Sequence, residues 1–175
     1  IKGMEKEGMP FTGFLYAGLM IDDKGGVKTL EFNTRMGDPE TQPIMLRLKS
    51  DLLEVLLAAT QPDGLLDLEL EWDRRSALGV VLAAPGYPAQ PRKGDRIHGL
   101  PSAVVQDEPG NEAVVFHAGT VQQGEGVVSN GGRVLCVTAL GDNLRQAQQN
   151  AYAAVAKINF DGMQYRKDIG YRALK

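Results

Sequence analysis

The sequence predicts an α+β fold, in which antiparallel strands and a helix precede a small mixed β domain with one long helix. Three observations indicate this class: an apolar run that turns into an alternating run, several short β-rich runs separated by turn signals, and a last segment with helical spacing. Hydrophobic residues make up 43% and charged residues 23% of the 175 residues, which is typical of a globular protein.

The first predicted element is a β-hairpin near the amino terminus. The near-continuous apolar run FTGFLYAGLMID is typical of a buried strand, and the DDKGG segment is a turn signal with two glycines. The alternating run VKTLEFN supplies the returning strand. Pro39 and Pro43 are then expected to break regular structure.

A helix and a domain boundary are predicted next. Asp51 and Glu54 have the spacing of a capping pair in front of the apolar segment LLEVLLAA. A Pro-Asp-Gly turn and an acidic stretch follow, and after them the sequence changes to short strand-like segments separated by turns. We therefore expect two domains, residues 1–62 and residues 63–175.

The second half reads as short strands with turns between them. Asn130-Gly131-Gly132 is a strong hairpin turn signal. The predicted strand segments are SALGVVLAAPGYP, which ends in a turn, and DRIHGL, AVVFHAGTV, GVVSN and RVLCVTAL.

One long helix is predicted after the last strand, with Asp142 as its N-cap. Its apolar residues recur at helical spacing, so one face is expected to pack against the strands. These residues are Leu144, Ala147, Ala151, Val155 and Ile158.

Composition excludes several classes of protein. The net charge of −3 argues against a general nucleic-acid binder, which usually has a basic surface. A single cysteine, Cys136, cannot form an internal disulfide and is expected to be a buried small residue. No apolar run reaches transmembrane length, and no signal peptide is visible, so we expect a cytoplasmic protein without a membrane partner.

Alternation along VKTLEFN places Glu31 and Asn33 on one face and turns Leu30 and Phe32 into the core. A carboxylate and a carbonyl oxygen side by side are hard ligands that suit Mg²⁺. This ion takes one or two protein carboxylates and completes its coordination with phosphate oxygens and water. The pattern is short and common, and from the spacing alone a polar strand end before a solvated turn is slightly favoured.

The loop after this strand carries further charged groups. Arg35 is close enough in sequence to contact a transferring phosphoryl group or an oxyanion. Gly37 permits a close backbone approach, and Asp38 is biased towards extended geometry by Pro39. A carboxylate placed in this way can hold a substrate ammonium group or polarise an attacking amine.

The chain resembles the carboxyl-terminal part of the glycinamide ribonucleotide synthetase family, from the end of its ATP-grasp domain onwards. The resemblance covers nearly the whole chain in the order of the family. The segments that carry it are GFLYAGLMID, GVKTLEFNTRMGDPETQPIMLRLKSDLLEVLLAAT, SALGVVLAAPGYP, GDRIHGL, VFHAGT, NGGRVLCVTALG, AQQNAYAAV and YRKDIGYRAL.

This resemblance implies an ATP-dependent ligase of purine biosynthesis. The family joins glycine to 5-phosphoribosylamine through glycyl phosphate, with ATP and Mg²⁺ or Mn²⁺. Two anions, a carboxylate and a triphosphate, must meet in this reaction, and the metal offsets their repulsion. The expected partners are therefore small molecules, on a protein that is a monomer or a weak dimer.

Several residues take a role by this resemblance. Glu31 and Asn33 match the metal ligands of the family, and Arg35 and Asp38 are the candidate catalytic residues. The implied substrate-binding residues are Gly37, Asp38, Pro39 and Glu40 near glycine and the amine, and Arg166 and Lys167 at the ribose 5-phosphate. For the last pair, a solvated basic turn remains an alternative.

Two departures from the ATP-grasp pattern limit what this chain does alone. Many ATP-grasp relatives carry another metal-binding acid on the preceding strand, but no acid lies between Phe14 and Ile21. The glycine-rich amino-terminal domain, the ATP-grasp lysines and the adenine-binding strand are not in the sequence, which begins without methionine. We therefore expect a part of a longer protein that is inactive by itself.

Two other functions stay open from the residues. A non-catalytic or carrier-like module would need an exposed lysine in a tight turn, and Lys24 in DDKGG is the nearest candidate. An ATP-grasp ligase with different substrates would share the metal site, but the GDPETQ and RKDIG segments argue against it.

Overall fold

The computed structural model describes residues 1–101 and 113–174, which form two compact units. The first unit comprises Ile1–Thr41 and Leu48–Trp72, and the second comprises Gln42–Arg47 and Asp73–Lys175. The described strands pair antiparallel, and helices accompany them, so the α+β class is confirmed. The domain boundary after residue 62 stays a prediction.

The amino-terminal unit contains the expected hairpin. A short helix α1 (Lys2–Lys6) precedes β1 (Tyr16–Ile21), which pairs antiparallel with β2 (Val27–Asn33). The turn is held by the Asp22 side chain, whose Oδ1 accepts hydrogen bonds from the backbone N–H groups of Lys24 and Gly26. Aspartate is favoured in turns because it bonds the backbone two residues on.

The expectation that β1 is buried and that Leu30 and Phe32 lie in the core is wrong. Both side chains are 64% exposed. Both faces of a two-stranded sheet are exposed unless other elements pack on them, and no described element buries the face that carries Leu30 and Phe32. The exposed apolar side chains of the hairpin are Leu19, Met20, Ile21, Val27, Leu30 and Phe32.

Two short helices follow the hairpin. Pro43 does not break regular structure, because it lies inside α2 (Thr41–Arg47). Proline is tolerated in the first turn of a helix, where its missing N–H has no intrahelical partner. Asp51 is confirmed as the N-cap of α3 (Leu52–Ala59), since its side chain accepts a hydrogen bond from Leu53 N.

The second unit is built around a three-stranded antiparallel sheet with the order β3-β7-β4 and a separate two-stranded sheet of β5 and β6. Its strands are β3 (Ser76–Ala83), β4 (Ala113–His117), β5 (Thr120–Gln123), β6 (Gly126–Ser129) and β7 (Arg133–Gly141). Strand β7 lies in the centre of its sheet and is almost completely buried, with Cys136 among its buried residues as expected.

The predicted long helix is α4 (Leu144–Val155), and Ala147, Ala151 and Val155 are buried at the expected spacing. Its N-cap is not Asp142. Asn143 takes the extended N-cap conformation, and its side chain accepts a hydrogen bond from Gln146 N. A short 3-10 helix, Tyr171–Leu174, ends the described chain.

Three local expectations in the second half are wrong. The Asn130-Gly131-Gly132 turn joins β6 to β7, which belong to different sheets, so it does not close a hairpin. DRIHGL forms isolated bridges at Arg96 and His98 and is not a strand. AVVFHAGTV divides into β4 and β5 at Ala118-Gly119.

In the described part of the chain, no helix has the length and apolarity needed to cross a membrane.

Candidate active site

The two strands of the hairpin bring four residues to one face. Tyr16 pairs with Asn33, and Gly18 pairs with Glu31. Residues directly opposite each other in an antiparallel pair project to the same side, and residues two apart on one strand do so as well. Tyr16, Gly18, Glu31 and Asn33 therefore share a face, which we call the hairpin face.

Gly18 makes room for the metal-ligand candidate. A Cβ at this position would lie 3.1 Å from Glu31 Cγ, which is tighter than most real contacts. A larger residue at Gly18 would therefore press on the Glu31 side chain from the neighbouring strand. The glycine leaves Glu31 free to extend along the hairpin face.

The loop of residues 34–40 folds back onto this face. Gly37 is buried, and its carbonyl accepts hydrogen bonds from Thr41 N, at 3.1 Å, and from the Thr41 hydroxyl. A Cβ on Gly37 would lie 2.8 Å from Tyr16 Cε2 and closer still to Glu40 Oε2. Only glycine allows the loop to approach the tyrosine ring this closely.

Tyr16 joins the hairpin face to the loop. Its hydroxyl donates a hydrogen bond to Glu40 Oε1 at 3.3 Å. The charge of Glu40 is the largest cause that raises the Tyr16 pKa, followed by burial, the hydrogen bond to Glu40 and the charge of Glu31, while Arg35 opposes the shift. Three predicted site residues thus lie close enough to act on one hydroxyl group.

Glu31 and Asn33 fit a divalent cation of the magnesium type as an incomplete ligand set. The Asn33 Nδ2 atom is buried and has no hydrogen-bond partner among the described residues, and the atom that a metal ion would use is the amide oxygen, Oδ1. Within residues 1–101 and 113–174, no group of three or more His, Cys, Asp or Glu side chains is arranged to hold a metal. The chain offers one carboxylate and one amide oxygen here, which suits Mg²⁺ if phosphate and water supply the rest.

The remaining loop residues also lie in the amino-terminal unit. Arg35 is exposed, and its Nη1 donates to the carbonyl of Met36 at 2.9 Å. Asp38 is exposed, and a cis peptide bond joins it to Pro39. The predicted residues from position 31 to position 40 therefore all lie in the amino-terminal unit, and their catalytic roles stay predictions.

Arg166 and Lys167 belong to the second unit, where Arg166 already has a partner. Its Nε and Nη2 donate to the two carboxylate oxygens of Asp168 at 2.9 and 2.8 Å. This pair raises the pKa of Arg166 and lowers the pKa of Asp168. The Arg166 carbonyl accepts a hydrogen bond from Tyr152, so the turn that carries both basic residues is fixed to helix α4.

The sequence did not point to Tyr16 or Gly18. Extending the register of Ile21 with Val27 without interruption places Tyr16 opposite Phe32, which is the wrong face. The structure has a register shift between Gly18 and Leu19, and this shift leaves Leu30 without a partner in the pairing. A tyrosine in an otherwise aliphatic strand was the only available signal.

Two family models match the chain. The model described as "Phosphoribosylglycinamide synthetase, C domain" matches residues 77–172, and the model described as "Phosphoribosylglycinamide synthetase, ATP-grasp (A) domain" matches residues 1–41. The second match contains the hairpin and the loop that form the candidate site.

Similar proteins carry the name phosphoribosylamine--glycine ligase. The chain is 59% identical to the protein of Ralstonia nicotianae over 176 residues, and 56% identical to that of Escherichia coli strain K12 over 176 residues. Both matches cover 100% of this chain and 40% of the relative. The chain thus spans about two fifths of the length of these relatives.

A solved structure shares the fold. The crystal structure of phosphoribosylamine--glycine ligase from Thermotoga maritima matches 97% of this chain with a TM-score of 0.77 and 38% sequence identity. The match covers 40% of that protein.

Proposed function

Because the chain belongs to the phosphoribosylglycinamide synthetase family, we propose that it is the carboxyl-terminal portion of an ATP-dependent carbon–nitrogen ligase. The reaction joins glycine to 5-phosphoribosylamine and gives glycinamide ribonucleotide, ADP and phosphate. The observation that carries this proposal is the hairpin face, where Glu31 and Asn33 lie beside the folded-back loop of residues 34–40.

The chemistry explains why such a face is useful. Glycine must be phosphorylated on its carboxylate before an amine displaces the phosphate, so two anions have to approach each other. Mg²⁺ or Mn²⁺ bound by Glu31 and Asn33 supplies the positive charge that offsets this repulsion. In this proposal the hairpin would contribute two oxygen ligands, which leaves coordination positions for the phosphates of ATP.

The loop residues have complementary roles in this proposal. Arg35 is a cation on the same unit and is assigned to the transferring phosphoryl group or the acyl phosphate. Asp38 is an exposed anion and is assigned to the amine. The loop of Gly37, Asp38, Pro39 and Glu40 is assigned to glycine and the amine. Arg166 and Lys167 of the second unit are assigned to the ribose 5-phosphate.

The exposed apolar side of the hairpin supports a place in a longer protein. Leu30 and Phe32 are largely exposed, although strand residues of this type normally pack against a neighbouring layer. The relatives are about two and a half times as long as the chain, since the matches cover 40% of them. We propose that the additional residues cover this surface and supply the nucleotide-binding groups.

The proposal is tested by replacing Glu31 in the longer protein. Glu31→Gln keeps the size of the side chain and removes the charge of the metal ligand. We expect Mg²⁺-dependent ATP binding to weaken and kcat to fall roughly a hundredfold or more, since a metal ion contributes several kcal/mol to such a transition state. Glu54→Gln, on the exposed side of α3, is the matched control and should behave like the parent protein.

The same measurements distinguish the alternative functions. Unchanged metal-dependent ATP binding in Glu31→Gln would remove the metal role of this residue. A parent protein that binds no nucleotide would favour the non-catalytic module. A protein that binds ATP but forms product only with other carboxylates or amines would be an ATP-grasp ligase with different substrates.

A further inference from the structure

We propose that Tyr16 is a positioning residue, which holds Glu40 and the loop of residues 37–40 against the hairpin face. The inference rests on the proposed function, because it gives Tyr16 a role in the glycine and amine part of that site. Tyr16 is assigned no contact with the reacting atoms, and it acts through Glu40.

The geometry supports this role at two points of the Tyr16 side chain. The hydroxyl bonds the Glu40 carboxylate, which is 24 residues away in sequence. The edge of the ring meets Gly37, where a Cβ would lie 2.8 Å from Cε2. One side chain of β1 thus contacts both ends of the loop segment from Gly37 to Glu40.

The burial pattern agrees with a contact that is specific to this residue. Tyr16 is half-buried, whereas Leu15 and Ala17 on either side are exposed. Most other apolar side chains of the hairpin are also exposed. The loop residues that the structure places against Tyr16 are Glu40, through the hydrogen bond, and Gly37, at the ring edge. Its position opposite Asn33 follows from the register shift at Gly18 and Leu19.

An uncharged hydrogen-bond donor is suited to the position of the Tyr16 hydroxyl beside Glu40. The carboxyl groups of Glu31 and Glu40 both raise the pKa of the Tyr16 hydroxyl through their charge. The charge of Glu40 is the largest of the causes that raise the Tyr16 pKa, and the phenol hydroxyl is an uncharged hydrogen-bond donor. A tyrosine holds Glu40 without adding a positive charge that would pair with Glu31 and compete with a metal ion.

The test is Tyr16→Phe in the longer protein, which removes the hydroxyl and keeps the ring. We expect the KM for glycine to rise about tenfold, because a hydrogen bond to a charged group is lost. The affinity for Mg–ATP and the thermal midpoint should change little. Tyr87→Phe is the matched control, because it removes a tyrosine hydroxyl that also bonds a charged side chain, Arg133, in the second unit.

A double-mutant cycle shows whether Tyr16 acts through Glu40. Tyr16→Phe should add less than a twofold change in a Glu40→Ala background, because the partner is already absent. Hydrogen exchange gives a readout that does not depend on activity: the Thr41 amide, bonded to Gly37 O, should exchange faster in Tyr16→Phe but not in Tyr87→Phe.

The outcomes separate this inference from the proposed function. Additive losses, or a parent-like glycine KM and parent-like exchange at Thr41, would overturn the positioning role. A fall in the thermal midpoint together with weaker Mg–ATP binding would also overturn it, since Tyr16 would then support the fold generally. If the parent protein lacks ligase activity, the proposed function fails, and exchange at Thr41 alone decides whether Tyr16 holds the loop.

Discussion

The interactions of Arg166 became specific only in the structure. In the sequence it is a basic residue beside Lys167, and a phosphate contact and a solvated turn explain it equally well. In the structure it forms a two-point pair with Asp168, which uses Nε and Nη2 of the guanidinium. Nη1 is outside this pair, so it is the atom that would contact a phosphate oxygen if the proposed role of Arg166 holds.

Replacing Arg166 tests the proposed phosphate contact. Arg166→Ala in the longer protein should raise the KM for 5-phosphoribosylamine about tenfold to a hundredfold, since a charge-assisted hydrogen bond contributes about 1.5–3 kcal/mol. The KM for ATP should stay the same. Arg92→Ala is the matched control, because Arg92 is another exposed arginine paired with aspartates, Asp95 and Asp161. An unchanged KM in Arg166→Ala would remove this residue from the site.

At the scale of single elements, helix ends decide between neighbouring residues that look equivalent in the sequence. Asp142 and Asn143 are both good N-cap residues, and they precede the same apolar pattern. The structure selects Asn143, because its backbone is extended and its side chain reaches the N–H of Gln146 at 3.0 Å. The helix α4 therefore begins one residue later than the Asp142 cap would require.

The two candidates can be separated by unfolding experiments. Asn143→Ala should lower the free energy of unfolding by about 1 kcal/mol, because one amide at the start of α4 loses its acceptor. Asp142→Ala is expected to have a much smaller effect. Urea unfolding followed by circular dichroism measures both, and a larger loss for Asp142→Ala would contradict the cap seen here.

Over the whole molecule, burial is divided unequally between the two units. All of the hydrophobic side chains that are buried in the described residues, from Leu78 to Phe160, lie in the second unit. Each fully buried valine or leucine of β3 and β7 contributes about 1.5–3 kcal/mol, so this unit has a core of its own. The first unit presents its site on a two-stranded sheet, which is marginal when it stands alone.

The 175 residues alone should therefore not catalyse the proposed reaction. In a single-turnover assay with glycine, 5-phosphoribosylamine and ATP, we expect no glycinamide ribonucleotide. The physical reason is that the described residues hold no group of three or more His, Cys, Asp or Glu side chains arranged to bind a metal. The two proposed ligands lie on a hairpin whose apolar side chains are exposed. The longer protein is the positive control, and product formed by residues 1–175 would contradict this expectation.

The sequence by itself determined the α+β class, the hairpin around DDKGG, the capping of α3 by Asp51 and the packed face of α4. These features depend on neighbours within a few positions, where turn chemistry and periodicity act directly. The cluster from Glu31 to Glu40 was also visible, because its members lie within one strand and its following loop.

Only the tertiary structure decided which residues share the hairpin face with Glu31 and Asn33, the candidate metal ligands. The register shift between Gly18 and Leu19 leaves Leu30 unpaired and changes the pairing partner of Tyr16 from Phe32 to Asn33. Tyr16 therefore lies on the same face of the hairpin as Glu31. Pairing has a period of two, and a one-residue shift exchanges the faces of everything beyond it. The same limit applies to β6 and β7: their turn residues predicted a hairpin, but long-range pairing of β7 with β3 and β4 placed them in different sheets.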